Sequence, residues 1–322
     1  VRRNSVPAKS HEGPHRRAER GSAVLDNSAE RGSAVQANYL TMRTLKYICT
    51  LSALAFLAAC NLEKEVNIEL PLYDSQPVVE CYLEPGKPFR LLLTRSYGFF
   101  DPLGLDSTFL DKTLLSGATV TVAYNGQVDT LYGQLSADFS PLKIFNYTGL
   151  NTVPATPGIE YTLNIVLPDG KSITGQTIML PLVPIDSVRV EWNPDRDTLA
   201  RVLTYITDDV TQENFFRRML NYGSLDSVPE QDFLANDRIA TTELIAFGTG
   251  YELKTGDTVI NTIFHITRDY YDYIESVQLA VFGNINPFAQ PSPIKSNVRG
   301  SANPLGIFTC LVYDRDTRVI TR

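Results

Sequence analysis

The stretch "ATVTVAYNGQVDTLY", Ala118 to Tyr132, is two alternating runs that meet at Asn125-Gly126. Successive side chains of a strand point to opposite faces, so each run reads as a half-buried strand. Asn-Gly between such runs supplies two residues that tolerate positive φ. It is the strongest short-range signal for a β-hairpin. Working outward, "PGIEYTLNIVLPDGKSITGQTIML" repeats the pattern, with Pro168-Asp169-Gly170 as the turn. Upstream, Val78 to Leu83 runs into Glu84-Pro85-Gly86-Lys87, a turn, and Phe89 to Thr94 follows as an apolar strand. Within Gly158 to Leu163, Tyr161 resembles the tyrosine that bonds the backbone across a sheet corner in immunoglobulin-like sandwiches. The expectation is an immunoglobulin-like β-sandwich over residues 66–182.

"LPLVPIDSV" then punctuates the chain with Pro181 and Pro184, and a domain boundary is expected there. Strands are expected at Ser187–Trp192, Leu199–Ile206, Asn214–Leu220, Arg238–Phe247 and Val259–Thr267, with Tyr222–Asp237 as a loop. Next the period changes. Tyr270, Ile274, Val277 and Val281 recur as on one helix face, and Asp269 and Asp272 suit the positive end of a helix dipole. One helix is expected near 268–282. After it come an extended loop and a final strand, Ile307–Tyr313. The fold class is all-β, mainly β with one helix. The immunoglobulin-like sandwich would be followed by a second β-sandwich-like domain, 185–322, that carries the helix.

Ahead of these strands stands "LSALAFLAACNLEKE", Leu51 to Glu65. Met42 to Lys46 is a short cationic start, Ile48 to Leu57 an apolar centre, and Ala58-Ala59 are small residues before Cys60. The apolar part is too short for a bilayer span, which needs about 20 residues, and fits an export signal. Leu57-Ala58-Ala59-Cys60 resembles a bacterial lipobox, in which a peptidase cuts between Ala59 and Cys60 and the cysteine sulfur carries a diacylglycerol. An ordinary signal peptide that happens to contain a cysteine is the alternative. On this reading 42–59 is a lipoprotein signal peptide and 60–65 a lipidated tether. Residues 1–41 hold a direct repeat, Ala18–Val24 and Ala29–Val35, and are Arg-rich and poor in aromatics. They read as a spurious upstream extension of the frame or as a disordered arm.

The whole chain has 29 Lys+Arg and 36 Asp+Glu, a net charge of −7. Nine of those basic and four of those acidic residues precede Cys60, so the expected mature chain has 20 against 32, a net charge of −12. This leaves no electrostatic drive toward nucleic acid, and membrane attachment rests on the lipid at Cys60.

Little in the sequence points to a reaction. Cys81 and Cys310 lie in strand-like apolar runs and read as buried thiols. His265 is the only histidine after Cys60, so a Ser-His-Asp or Cys-His centre would have to use it, yet it sits in an alternating strand. A closed zinc site fails by ligand count. Asp195-Arg196-Asp197 and Asp208-Asp209 read as solvated turn acids. No cofactor and no enzymatic activity are expected. Tyr97, Phe99 and Phe100 precede a Pro- and Gly-containing loop and are the candidate binding surface, because exposed loop aromatics mark such surfaces.

The late segment "VFGNINPFAQPSPIKSNVRGSANPLGIFTCLVYD" resembles the C-terminal signature of a Bacteroidetes lipoprotein family, the domain of unknown function 4249 family. Its marks are Asn286-Pro287-Phe288, Pro291 to Pro293, Ser296-Asn297 and Gly306-Ile307-Phe308. "PVVECYLEPGKPFRLLLTRS" resembles the family's opening strand pair, with Cys81 where a glycine is common. The resemblance implies an envelope lipoprotein encoded near a TonB-dependent outer-membrane receptor, and supplies no catalytic residue. The expected function is that of a lipid-anchored outer-membrane accessory or binding protein. A structural or adhesive surface module is the alternative, and an envelope hydrolase a more remote one.

Overall fold

The computed structural model describes residues 42, 45–48, 50, 74–98, 109–139, 141–239, 242–285 and 292–322. Ala59, Cys60, Phe99, Phe100, Phe288 and the 1–41 segment therefore lie outside the described residues. The described residues between 42 and 50 are helical. Residues 71–322 form one compact unit.

The opening hairpin is present. β3 (Thr119–Tyr124) and β4 (Gln127–Phe139) pair with Tyr124 opposite Gln127. Asn125 at φ 47° and Gly126 at φ 75° make the turn between them. β1 (Pro77–Leu83) and β2 (Pro88–Arg95) form the first antiparallel pair. β6 (Glu160–Val166) and β7 (Ser172–Ile178) form the later one. The Tyr161 ring is fully buried, and its hydroxyl donates to the Pro154 carbonyl at 3.3 Å, within the connection between two strands of one sheet. β5 (Leu142–Thr152), unmarked by clear alternation, pairs with β4 and β2. A five-residue helix, α1 (Phe109–Thr113), packs near β2.

The expected pair of consecutive sandwiches is not confirmed. One nine-stranded sheet runs β14-β7-β6-β3-β4-β5-β2-β1-β15 and is nearly closed, like a barrel. Both flanking strands, β14 (Val298–Arg299) and β15 (Leu305–Cys310), come from the far end of the chain. β15 runs parallel to β1, with Val79 opposite Gly306 and Cys81 opposite Phe308. Gly306 permits this approach: at φ 119°, a Cβ there would lie 1.9 Å from the Val79 carbonyl oxygen. Gly175 on β7 is constrained less severely, since a Cβ would sit 3.1 Å from the Val298 side chain and 3.2 Å from that of Phe308. The barrel core accordingly mixes early and late residues: Val79, Leu91, Leu163, Ile165, Val298 and Phe308 pack together.

The expected single last strand is two. At Leu311 the chain leaves the barrel, and β16 (Val312–Val319) pairs with β13 (Thr258–Ile266) in a second sheet, ordered β11-β10-β13-β16. Its other members are β10 (Phe215–Tyr222) and β11 (Gln231–Asn236). β11 lies where a loop was expected, because backbone pairing with β10 overrides its polar, turn-rich composition. The strand expected over Arg238–Phe247 is instead a short 3₁₀ turn, Asp237–Ile239, and β12 (Leu244–Gly248). β12, β9 (Ala200–Thr207) and β8 (Ser187–Trp192) make a three-stranded sheet. Between these two sheets Ile206, Phe216, Phe247 and Ile263 pack together. Arg218 is fully buried there, donating to Gln231 Oε1, the Gly248 carbonyl and Asn261 Oδ1.

The helix α2 (Arg268–Ile285) starts where expected, with Thr267 Oγ1 accepting from the Tyr270 amide. Tyr270 and Ile274 pack with Phe215, Ile307 and Leu311. The apolar face does not stay buried to the end: Val281 and Phe282 are exposed. No helix among the described residues is long and apolar enough to cross a membrane.

Candidate functional site

Alternation along β1 sends Val79, Cys81 and Leu83 into the barrel core and turns Glu80 and Tyr82 outward. That outer wall faces one side of the second sheet, and a cleft of about 770 Å³ lies between them, within the size range of small-molecule sites. Phe145 from β5, Phe264 from β13, Tyr313 from β16 and Tyr270 from α2 join Tyr82 along it. Tyr82 and Tyr270 meet edge to face at 6.0 Å between ring centres, and Phe264 and Tyr313 meet at 5.0 Å. Arg90 lies over the Phe145 ring at 4.5 Å and forks onto Asp138 at 2.7 and 2.9 Å, which holds the Asp138 carboxyl below its usual range. Exposed apolar side chains stand at its edge, Leu142 at 66 % exposure on one side and Val228 at 85 % on the other, among polar Lys87, Asp226 and Ser227.

Of the charged residues that line the cleft, Arg217 and Glu80 are treated differently, while Arg315 lies over the Tyr313 ring and its Nε donates to Thr262 Oγ1 at 2.9 Å. Arg217 donates to Asp232 at 2.8 and 2.6 Å and to the Tyr270 hydroxyl at 2.8 Å. Burial works against its charge, but Asp232 and Tyr270 outweigh that and the guanidinium holds its proton more firmly than usual. Glu80, by contrast, has no Lys, Arg or His partner among the described residues. Burial raises its pKa, opposed only by a hydrogen bond from Tyr82. Beside it, burial and then the Glu80 charge push the Tyr273 hydroxyl up to about 12.

A smaller polar depression is lined by Asp269, Asp272, Lys295 and Asn297. Here the family-like Ser296-Asn297 step has a structural job. Ser296 Oγ accepts from the Gly306 amide at 2.9 Å. Asn297 Oδ1 accepts from the Phe308 amide at 2.9 Å, and its Nδ2 donates to the Phe308 carbonyl at 2.8 Å and to Gln176 at 3.3 Å. A primary amide presents an acceptor and a donor side by side, as a strand edge does. Asn297 thus stands in for a missing strand residue between β15 and β7.

Among the described residues, the candidates singled out from sequence do not gather in the cleft. Tyr97 is part-exposed, with its hydroxyl 3.0 Å from Thr113 Oγ1, and does not line it. His265 is buried against the Phe216 ring. Its Nδ1 lies 2.8 Å from the Pro181 carbonyl and its Nε2 3.1 Å from Asn214 Oδ1. Burial outweighs the Pro181 bond and lowers its pKa. Neither partner is a nucleophile or a carboxylate. Asp195 and Arg196 amides bond the Asn193 side chain, and Asp197 pairs with Arg322. Asp209 caps its own turn through Thr211, whereas Asp208 is buried, a correction to its reading as a solvated turn acid. Cys81 and Cys310 are free and buried. Among the described residues no group of three or more His, Cys, Asp or Glu could hold a metal ion. The sequence reading missed Glu80, Tyr82 and Phe145. The available signal was the β1 alternation, which set Glu80 and Tyr82 on the face away from the core.

No curated protein matches this sequence. The signature of a domain of unknown function, DUF4249, matches residues 63–317. Spanning most of the chain, the match makes this protein a member of the DUF4249 family.

Proposed function

We propose that this protein is a lipid-anchored accessory or binding protein of the outer membrane that works beside a TonB-dependent receptor, with the cleft between barrel and second sheet as its binding site. The observation that carries the anchoring is the order of cationic start, short apolar centre and Leu57-Ala58-Ala59-Cys60. The cleft supports the binding role, since an aromatic-lined concavity with a few placed polar groups is what a binding site requires. The test has two parts. Metabolic labelling with an alkyne fatty acid should tag the protein and fail on Cys60→Ala. Detergent co-purification should recover a stoichiometric β-barrel partner. An untagged protein ends the anchoring claim, and a protein purified alone ends the transport claim.

A second reading, a structural or adhesive surface module, draws on the bond from the Tyr161 hydroxyl to the Pro154 carbonyl, of the kind seen in immunoglobulin-like sandwiches. It is favoured if labelling succeeds and no partner is recovered. Protease shaving of intact cells separates surface display from a periplasmic orientation.

A further inference from the structure

We infer that the cleft binds a small organic cation, an ammonium or guanidinium on an apolar body, with the cationic group on Glu80 and the body along Phe145 and Phe264. This deepens the binding role proposed above and rests on it. Arg217 and Glu80, both lining the cleft, are unequally matched. Arg217 is spent, since Asp232 and the Tyr270 hydroxyl take its donors. The Glu80 carboxyl has no basic partner among the described residues, while it lines the same cavity. A half-buried carboxylate without a counter-charge is costly to the fold, and a ligand that supplies the charge recovers that cost. The surroundings suit a cation in particular. Tyr82 and Tyr270 stand beside Glu80, and aromatic faces attract ammonium groups and repel anions. The exposed apolar side chains Leu142 and Val228 at the edge then suit the rest of the ligand rather than a bare ion.

The probes are 3-phenylpropylammonium, 3-phenylpropan-1-ol and 3-phenylpropanoate, which share a body and differ in head. Each is titrated calorimetrically into the detergent-solubilised full chain. The expected result is that the ammonium binds at least ~10-fold more tightly than the alcohol, the size of one charge-assisted contact, and that the carboxylate does not bind. Glu80→Gln, which keeps the shape, should erase the preference, while Glu84→Gln, at a carboxylate already paired with Lys87 and Lys143, should keep it. Equal binding of ammonium and alcohol, binding of none of the three, or equal loss in both variants overturns the inference. Fatty-acid labelling and partner recovery are independent of these titrations, so the two readings fail separately.

Discussion

Asn297→Ala tests the claim that one side chain stitches the barrel shut. The amide makes three hydrogen bonds, two of them to the main chain of Phe308, a residue with no exposed surface. Alanine removes the partner and leaves the Phe308 N–H and C=O without one. An orphaned buried backbone group costs about 1–3 kcal/mol, so the pair predicts a loss of about 3 kcal/mol once partial water access at the half-exposed Asn297 position is allowed for. For a domain of this size 1 kcal/mol corresponds to about 2–4 °C in Tm, so the expected drop is about 6–12 °C. Urea unfolding followed by circular dichroism measures the free energy, and a thermal scan measures the shift. Asn297→Asp should be as damaging, because it keeps the acceptor but loses the donor that reaches the Phe308 and Gln176 carbonyls. A loss below about 1 kcal/mol for both variants, within the ordinary range for surface changes, would refute the stitching role.

Residues 60–184 expressed alone should fail to fold, because Val298, Phe308, Cys310 and Val312 belong to the barrel core; a dispersed amide spectrum from that fragment would contradict the shared barrel. Cys81 and Cys310 should resist iodoacetamide in the native protein and react fully in urea: burial raises both thiols, Cys310 to about 12, so little thiolate is present. Native-state labelling on the timescale of model thiols would show the core to be open. Glu80 carries a pH signature as well. Its folded pKa lies above the ordinary 4.5, so the folded state holds the proton longer and Glu80 costs stability as pH rises from 4.5 through its folded value. Glu80→Gln should therefore raise Tm at pH 7 and change it little at pH 3; a gain confined to acid pH would reverse the assignment.

The local devices of this fold were legible in the chain. Asn125-Gly126 and the Gly86 and Gly170 turns depend on residues a few positions apart, whose backbone preferences act whatever surrounds them. Alternation told which side of β1 enters a core. It could not tell what the other side faces, because Glu80 and Tyr82 meet elements more than a hundred residues away. The same limit explains the domain boundary: Pro181 and Pro184 punctuate the chain, yet they say nothing about a strand that returns from residue 305.

By itself the sequence determined the β class, the single long helix, the hairpin turns, the acidic balance and the family. Period, turn chemistry and charge are local or summed properties, so a chain displays them without folding. Only the tertiary structure decided that β15 runs parallel to β1 and nearly closes a barrel, that the chain changes sheets at Leu311, and that a carboxyl with no basic partner among the described residues lines an aromatic cleft. Those are long-range pairings. They are chosen by which backbones can approach, as at Gly306 and Gly175, and by which buried groups find partners.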